Sequence, residues 1–168
     1  MTLVLRPFAA SDESPALAAH AAFQRAGFNF LPVDFDSTTP WQHWIERWEH
    51  ARLHAAAENN GVRKSFLAAD ADGDLVGRAS IRFALDAEHA RRGGHIGYGV
   101  IDEFRRRGYA TSILSEAIRI ARDEGVERLL VTCATANVAS ARVIERCGGV
   151  FESVATHQDG SSSLRYWI

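Results

Sequence analysis

The sequence predicts an α/β (α+β) domain built around one mixed sheet, and three features carry that expectation. Apolar residues recur at three- and four-residue steps in several long stretches, which marks helices with one buried face. Shorter alternating runs bounded by Gly, Asp and Pro read as strands. In chain order, a group of strands is followed by strict strand–helix alternation, as a single sheet covered by helices requires. A chain of 168 residues suits one domain, 1–168, with a core of its own.

Thr2 to Arg6 reads as a first strand ended by Pro7. Ser11-Asp12-Glu13-Ser14 offers side-chain oxygens to the free amides of a first turn, so a helix is expected from about Pro15 to Ala26, stopped by Gly27. Pro40 suits the first turn of a second helix reaching about Ala57. Trp41, Trp44, Ile45, Trp48, Arg52 and Ala55 share one of its faces. Ser65 to Ala69 and Leu75 to Leu85 read as strands joined by the hairpin signal Asp72-Gly73. Asp86 to Gly94 reads as a polar loop, and His95 to Ile101 as a further strand. A helix from Gly108 to Glu124 buries Ala110, Ile113, Leu114, Ala117, Ile118 and Ala121. A strand from about Arg128 to Ala134 and a helix from Val138 to Cys147 follow. Two antiparallel strands, Gly149 to His157 and Ser163 to Ile168, close the chain.

Composition excludes more than it selects. A formal net charge of -2 gives no global attraction to nucleic acid or anionic membrane, so any anion site must be local. No apolar run approaches the roughly 18 residues of a spanning helix, and Met1 to Pro7 lacks the pattern of a signal peptide. Cys133 and Cys147 have neither metal-ligand nor redox spacing and read as buried thiols. The expectation is a cytoplasmic protein with no metal, no nucleic-acid partner and no membrane partner.

The element with chemistry in it is Arg105-Arg106-Arg107-Gly108-Tyr109-Ala110, between a strand and a long helix. A first helical turn leaves about four amides without intrahelical partners, and the helix dipole makes that end electropositive. An anion placed there gains from both. Gly108 allows close approach, Ala110 keeps the next position narrow, Thr111 adds a hydroxyl, and three arginines raise the potential. A pyrophosphate fits this set. A solvated cap fits it too, whereas Asp102, Glu103, Asp123, Glu124 and Glu127 nearby argue against a nucleic-acid face.

That turn resembles the Q/R-x-x-G-x-G/A signature of the GNAT superfamily of acyl-CoA-dependent N-acetyltransferases. Asn137, Ser140, Ile144, Glu145 and Gly148-Gly149 resemble the family's later N-x-x-S/A…E-x-x-G segment. The resemblance covers about residues 65 to 155. It implies a twisted mixed central sheet flanked by helices on both faces, splayed to admit the pantetheine of acetyl-CoA. It makes 65–155 the cofactor-binding core and the helices of about 12–57 a wall of the acceptor site. It implies that backbone amides at Val100 and Ile101 meet the pantetheine, and that the turn from Arg105 to Ala110, with Thr111, holds the pyrophosphate. It also nominates Asn137, which an N-cap role explains equally, and Ser140 on the same stripe as Ile144 and Cys147.

The reaction implied is direct attack of the primary amine of a small molecule, amino acid or peptide on the thioester, with the oxyanion met by an amide such as that of Val100. Many members carry a tyrosine acid seven residues after the asparagine; here that position is Ile144. Candidates for acid or base work are therefore His95, whose ordinary pKa suits neutral chemistry, then Tyr98 and Glu103. Each also has a structural reading: a strand-start histidine, a core aromatic, a loop carboxylate. The aromatics Phe23, Phe28, Phe30, Phe35, Trp41, Trp44 and Trp48 either line an acceptor site or form core. A non-catalytic CoA-sensing domain is the alternative function, and the sequence leaves a homodimer open.

Overall fold

Both faces of one strand organise the molecule. In β2 (Lys64–Ala71) the run Ser65 to Ala69 is buried throughout, so the strand sits inside the sheet with a helical layer on each side. The structure is a computed structural model and describes residues 2–54 and 62–168. Strand β1 (Leu3–Arg6), β2, β3 (Asp74–Arg82) and β4 (Ile96–Val100) pair antiparallel in the order β1-β2-β3-β4. The β2–β3 turn is Asp72-Gly73 with φ of 55° and 95°. Two positive φ values give a two-residue hairpin loop its matching twist.

Helix α1 (Glu13–Arg25) and α2 (Trp41–Leu53) cover one face of this sheet. There Phe8, Phe30, Trp41 and Trp44 pack on Phe66 and Ala68 of β2, with Phe8 stacked on Phe66 at 5.4 Å. Of the N-terminal aromatics Phe30, Trp41 and Trp44 are thus core, Phe23, Phe35 and Trp48 are half-buried against it, and Phe28 is exposed. The expected last turn of the second helix, with Ala55 and the end near Ala57, lies outside the described residues.

Helix α4 (Tyr109–Asp123) covers the opposite face through Ile113, Leu114, Ala117, Ile118 and Ala121, as the periodicity requires. Its closest approach is over Gly77 of β3. A Cβ there would lie 2.3 Å from the Gly99 carbonyl oxygen and 2.9 Å from Ile113. Strand β5 (Leu130–Ala134), helix α5 (Val138–Arg146), β6 (Val150–Thr156) and β7 (Ser162–Trp167) complete the chain. They form a second antiparallel ladder, β5-β7-β6, with α5 packed against α4 and β5.

One expectation needs correction. The stretch Asp86 to Gly94, expected as loop, contains the short helix α3 (Ala87–Arg91), capped where the Asp86 carboxylate accepts from the His89 amide at 2.8 Å. Five residues are too few to show a helical period. The sheet is divided into two antiparallel ladders, as the expected splay requires; among the described residues they meet at the start of β4, where Gly94 bridges Val131 and the His95 amide donates to Leu130 O at 2.7 Å.

Candidate active site

The separation of the two ladders leaves one edge of β4 without a partner. Arg82 N–H donates to His95 O at 2.8 Å and Ile101 N–H to Val76 O at 3.0 Å. Because hydrogen-bonded pairs alternate along an antiparallel ladder, these two bonds fix the phase. The His95 carbonyl and residues 97, 99 and 101 bond to β3, and the amides of Tyr98 and Val100 point to the open edge. Among the described residues no backbone hydrogen bond joins β4 beyond His95 to β5. Of the two amides expected to meet a ligand, only that of Val100 faces this edge; that of Ile101 is already engaged.

The arginine turn follows. After a 3₁₀ turn at Asp102–Phe104, Arg106 takes φ of 63° and Gly108 takes φ of 86°. The chain is thereby reversed into α4 with Gly108 at its N-cap. The amides from Arg106 to Ala110 have no acceptor among the described residues, while those of Thr111 and Ser112 turn back to Gly108 O at 3.1 and 3.2 Å. A Cβ at Gly108 would meet no atom within 4 Å. The start of α4 is therefore neither buried nor capped by the protein's own side chains.

Arg105, Arg106 and Arg107 are exposed but not equivalent. Arg105 folds back: Nε donates to Val100 O at 3.2 Å, Nη2 pairs with Asp102 at 2.7 Å, and the guanidinium lies over the Phe23 ring at 5.6 Å. It pins the end of β4 to α1. Arg107 lies over Phe104 at 5.7 Å. Tyr109, by contrast, turns inward and is buried.

Across the open edge stands α5. Asn137 caps it, its side-chain oxygen accepting from the Ser140 amide at 3.1 Å. The Ser140 hydroxyl lies 2.7 Å from the Tyr98 hydroxyl, so a β4 side chain reaches α5 at the level of the gap. Burial pushes the Tyr98 phenol up to about 12. The same effect raises the nearby thiols of Cys133 and Cys147. Ile144, where a tyrosine acid was looked for, is fully buried.

His95 and Glu103 lie elsewhere. His95 is buried at the seam of the ladders, where its Nδ1 accepts from the Leu130 amide at 2.9 Å. Burial pushes its imidazole below the ordinary value, and the Arg82 charge adds to this. Glu103 is exposed in the 3₁₀ turn and makes no ion pair among the described residues.

A cavity of about 550 Å³ opens on the other face of the sheet, over β2 and β3, between the loop around 29–34 and Trp48 of α2. Its size is that of a small-molecule site. Leu31, Pro32, Val33, Trp48, Phe66 and Ile81 supply its apolar wall, and Lys64, Arg78, Ser80 and Arg82 its polar one. Gly97 and Gly99 face this side: a Cβ at Gly97 would lie 2.8 Å from Ser80 Oγ, and one at Gly99 would lie 3.2 Å from Phe23. Nothing in the sequence reading singled out Arg78 or Ser80. The available signal was the alternation Arg78, Ser80, Arg82 along an otherwise apolar strand, which places three polar side chains on one face. Among the described residues no group of three His, Cys, Asp or Glu side chains is placed to hold a metal, and no helix is long and apolar enough to cross a membrane.

Comparisons with known proteins agree with this arrangement. The model of the acetyltransferase (GNAT) domain matches residues 2–150. No curated protein sequence matches significantly. Among solved structures, RimJ of Mycobacterium smegmatis, in complex with CoA-disulfide, superposes with a TM-score of 0.74 at 22% identity over 99% of this chain and 81% of that one. The microcin C7 self-immunity acetyltransferase MccE, in complex with acetyl-CoA and AMP, gives 0.70 at 21% identity over 99% and 91%. A spermidine N-acetyltransferase SpeG chimera from Vibrio cholerae and hSSAT gives 0.66 at 15% identity over 100% and 95%. At these identities the structures speak to the fold alone. The family model spans most of the chain, which therefore belongs to the GNAT acetyltransferases.

Proposed function

We propose that this protein transfers an acetyl group from acetyl-CoA to a primary amine by direct attack. The observation that supports it most is a pair of backbone donor sets without acceptors among the described residues: Val100 on the free edge of β4, and Arg106 to Ala110 at the start of α4. The pantetheine lies along the edge and the diphosphate on the turn. Thr111, exposed Arg106 and Arg107 add polarity there. Neighbours solved with acetyl-CoA or CoA, including MccE and RimL, support that choice of donor. Ribosomal-protein and spermidine acetyltransferases among the neighbours support an amine acceptor.

The amine attacks the thioester carbonyl, forming a C–N bond and an oxyanion that the Val100 amide meets. The C–S bond then breaks, the amine proton is lost and the thiolate takes up a proton. A lysine-like amine costs roughly 4.6 kcal/mol to deprotonate at pH 7, an α-amine only about 1 kcal/mol. Tyr98 serves the leaving sulfur as a hydrogen-bond donor. A phenol held near 12 would lose about 4.8 kcal/mol in passing its proton outright to a thiolate of pKa ~8.5. Ser140 positions Tyr98, and Asn137 holds Ser140 in place. His95 has a structural role, because its Nδ1 is committed to Leu130, and Glu103 stays in solvent.

The second reading, a CoA-sensing domain without turnover, is favoured by one feature: Ile144 stands buried at the family's acid position. Thiol release from acetyl-CoA over a panel of amines separates the two. Amine-dependent release supports the enzyme. Tight acetyl-CoA binding with no release from any amine leaves the sensor.

A further inference from the structure

The cavity between the β2–β3 face, Trp48 and the loop around 29–34 holds a cation, Arg78, that no carboxylate among the described residues pairs with. Arg78 Nε is buried without a hydrogen-bond partner among the described residues, as is the indole N–H of Trp48 in the same wall. Among the described residues the Arg78 guanidinium makes one hydrogen bond, from Nη2 to Asn29 O at 3.2 Å, and no ion pair, and it lies 5.7 Å from the Phe66 ring centre. The cavity's acids are engaged elsewhere: Asp34 with Arg47, and Asp86 with His89 and, more remotely, with Arg82. Burial, together with the Arg82 charge, pulls the Arg78 guanidinium down to about 10, still fully charged near neutral pH. A buried charge with unused donors costs stability unless a ligand completes it.

Its position is specific. Arg78 pairs in register with Gly99, one residue before Val100. The guanidinium lies over the bare face of β4: the Cβ positions of Gly97 and Gly99 would be 3.4 Å from Nη1 and 3.7 Å from Nε. An anion on Arg78 therefore sits beside the end of the strand where the thioester is attacked. The apolar wall of Leu31, Val33, Trp48 and Ile81 continues away from it.

We propose that the acceptor is an amine carrying a carboxylate close to the reacting nitrogen, an α-amino acid with an apolar side chain, and that Arg78 binds that carboxylate. A planar guanidinium matches a single carboxylate. Polyamines and basic side chains meet the wrong charge here. The inference rests on the acetyltransferase reading.

The test compares kcat/KM for leucine, tryptophan and phenylalanine with their carboxamides, their decarboxylated amines and spermidine. Calorimetry of the N-acetylated amino acids and their amides on the CoA-loaded protein gives a readout independent of turnover. The free acids are expected to lead their amides by at least about tenfold, although the amides' amines lose a proton more readily. Arg78→Gln is expected to erase that lead while leaving acetyl-CoA affinity unchanged, and Arg78→Lys to restore part of it. A melting curve checks that each variant is folded. Equal or better turnover and binding of the neutral amines or spermidine overturns the carboxylate inference and leaves the acetyltransferase standing. Amine-independent behaviour with carboxylate-selective product binding overturns only the reaction.

Discussion

Gly108→Asp probes the turn at the start of α4 most directly. A Cβ at Gly108 meets no atom within 4 Å, so the substitution disturbs no packing. The backbone φ of 86° costs a side-chain-bearing residue about 1–2 kcal/mol, or a fall in Tm of roughly 2–8 °C for a chain of this size. Binding should suffer more. A carboxylate at ~5 Å from a diphosphate charge repels it by about 0.8 kcal/mol in water and about 3.3 kcal/mol at the effective dielectric of a protein surface. With two phosphate charges and salt screening, a net ~2–4 kcal/mol is expected, a loss of roughly 30- to 1000-fold in acetyl-CoA affinity. Gly108→Asn separates charge from bulk, since asparagine tolerates the left-handed region at least as well as aspartate. Calorimetric titration with acetyl-CoA at low and high salt reads both. The aspartate variant should bind at least about tenfold more weakly than the asparagine variant at low salt, with the difference shrinking as salt rises. If both variants bind like the parent protein, the amides around Gly108 do not hold the anion.

Tyr98→Phe removes the hydroxyl facing Ser140 and should lower kcat by about 10- to 100-fold with little change in acetyl-CoA affinity; an unchanged kcat removes Tyr98 from the chemistry. Because burial raises the Tyr98 pKa to about 12, its contribution to stability is complete below the unfolded value of about 10 and is lost as pH rises from there towards 12. Alkaline unfolding of the Phe variant should accordingly show a shallower pH dependence in that window. His95→Ala strands the buried Leu130 amide at a cost of about 1–3 kcal/mol, and thermal melting should detect it without a shift in the pH–rate profile. The His95 pKa is pushed down, so its share of stability is present above the unfolded value near 6.5 and falls as the solution becomes more acidic. Gly77→Ala drives a methyl into the Gly99 carbonyl; a loss of about 1–3 kcal/mol or failure to fold is expected, by urea titration.

The elements best read from sequence were those with long periods or decisive turn chemistry. Helix α4 could be drawn residue by residue because Ile113, Leu114, Ala117, Ile118 and Ala121 fall on one stripe. The Asp72-Gly73 hairpin could be placed because few sequences tolerate two consecutive positive φ values. The short helix at Ala87–Arg91 was hidden because a single turn has no period, although Asp86 with His89 three residues on was a usable capping signal. His95 shows a different limit. Its residue type suited proton transfer, but only tertiary structure reveals that Leu130, distant in sequence, takes its Nδ1. Arg78 was missed for the complementary reason: a strand arginine normally finds a carboxylate, and the pattern along one strand cannot show that none is at hand among the described residues. The divided sheet was legible as an implication of the GNAT resemblance but not from the strands themselves, whose spacing permits one continuous ladder.

The two glycines of β4 also decide where this scaffold can change its taste. If the acceptor binds beside Arg78 as proposed, β4 presents no side chain to it through Gly97 and Gly99, and any side chain placed there would meet Ser80, Arg78 or Phe23. Divergence, whether natural or in a selected library, must be written on the neighbouring β3 positions 78, 80 and 82 and on the loop around 29–34. The arginine turn proposed to hold the diphosphate can meanwhile stay untouched.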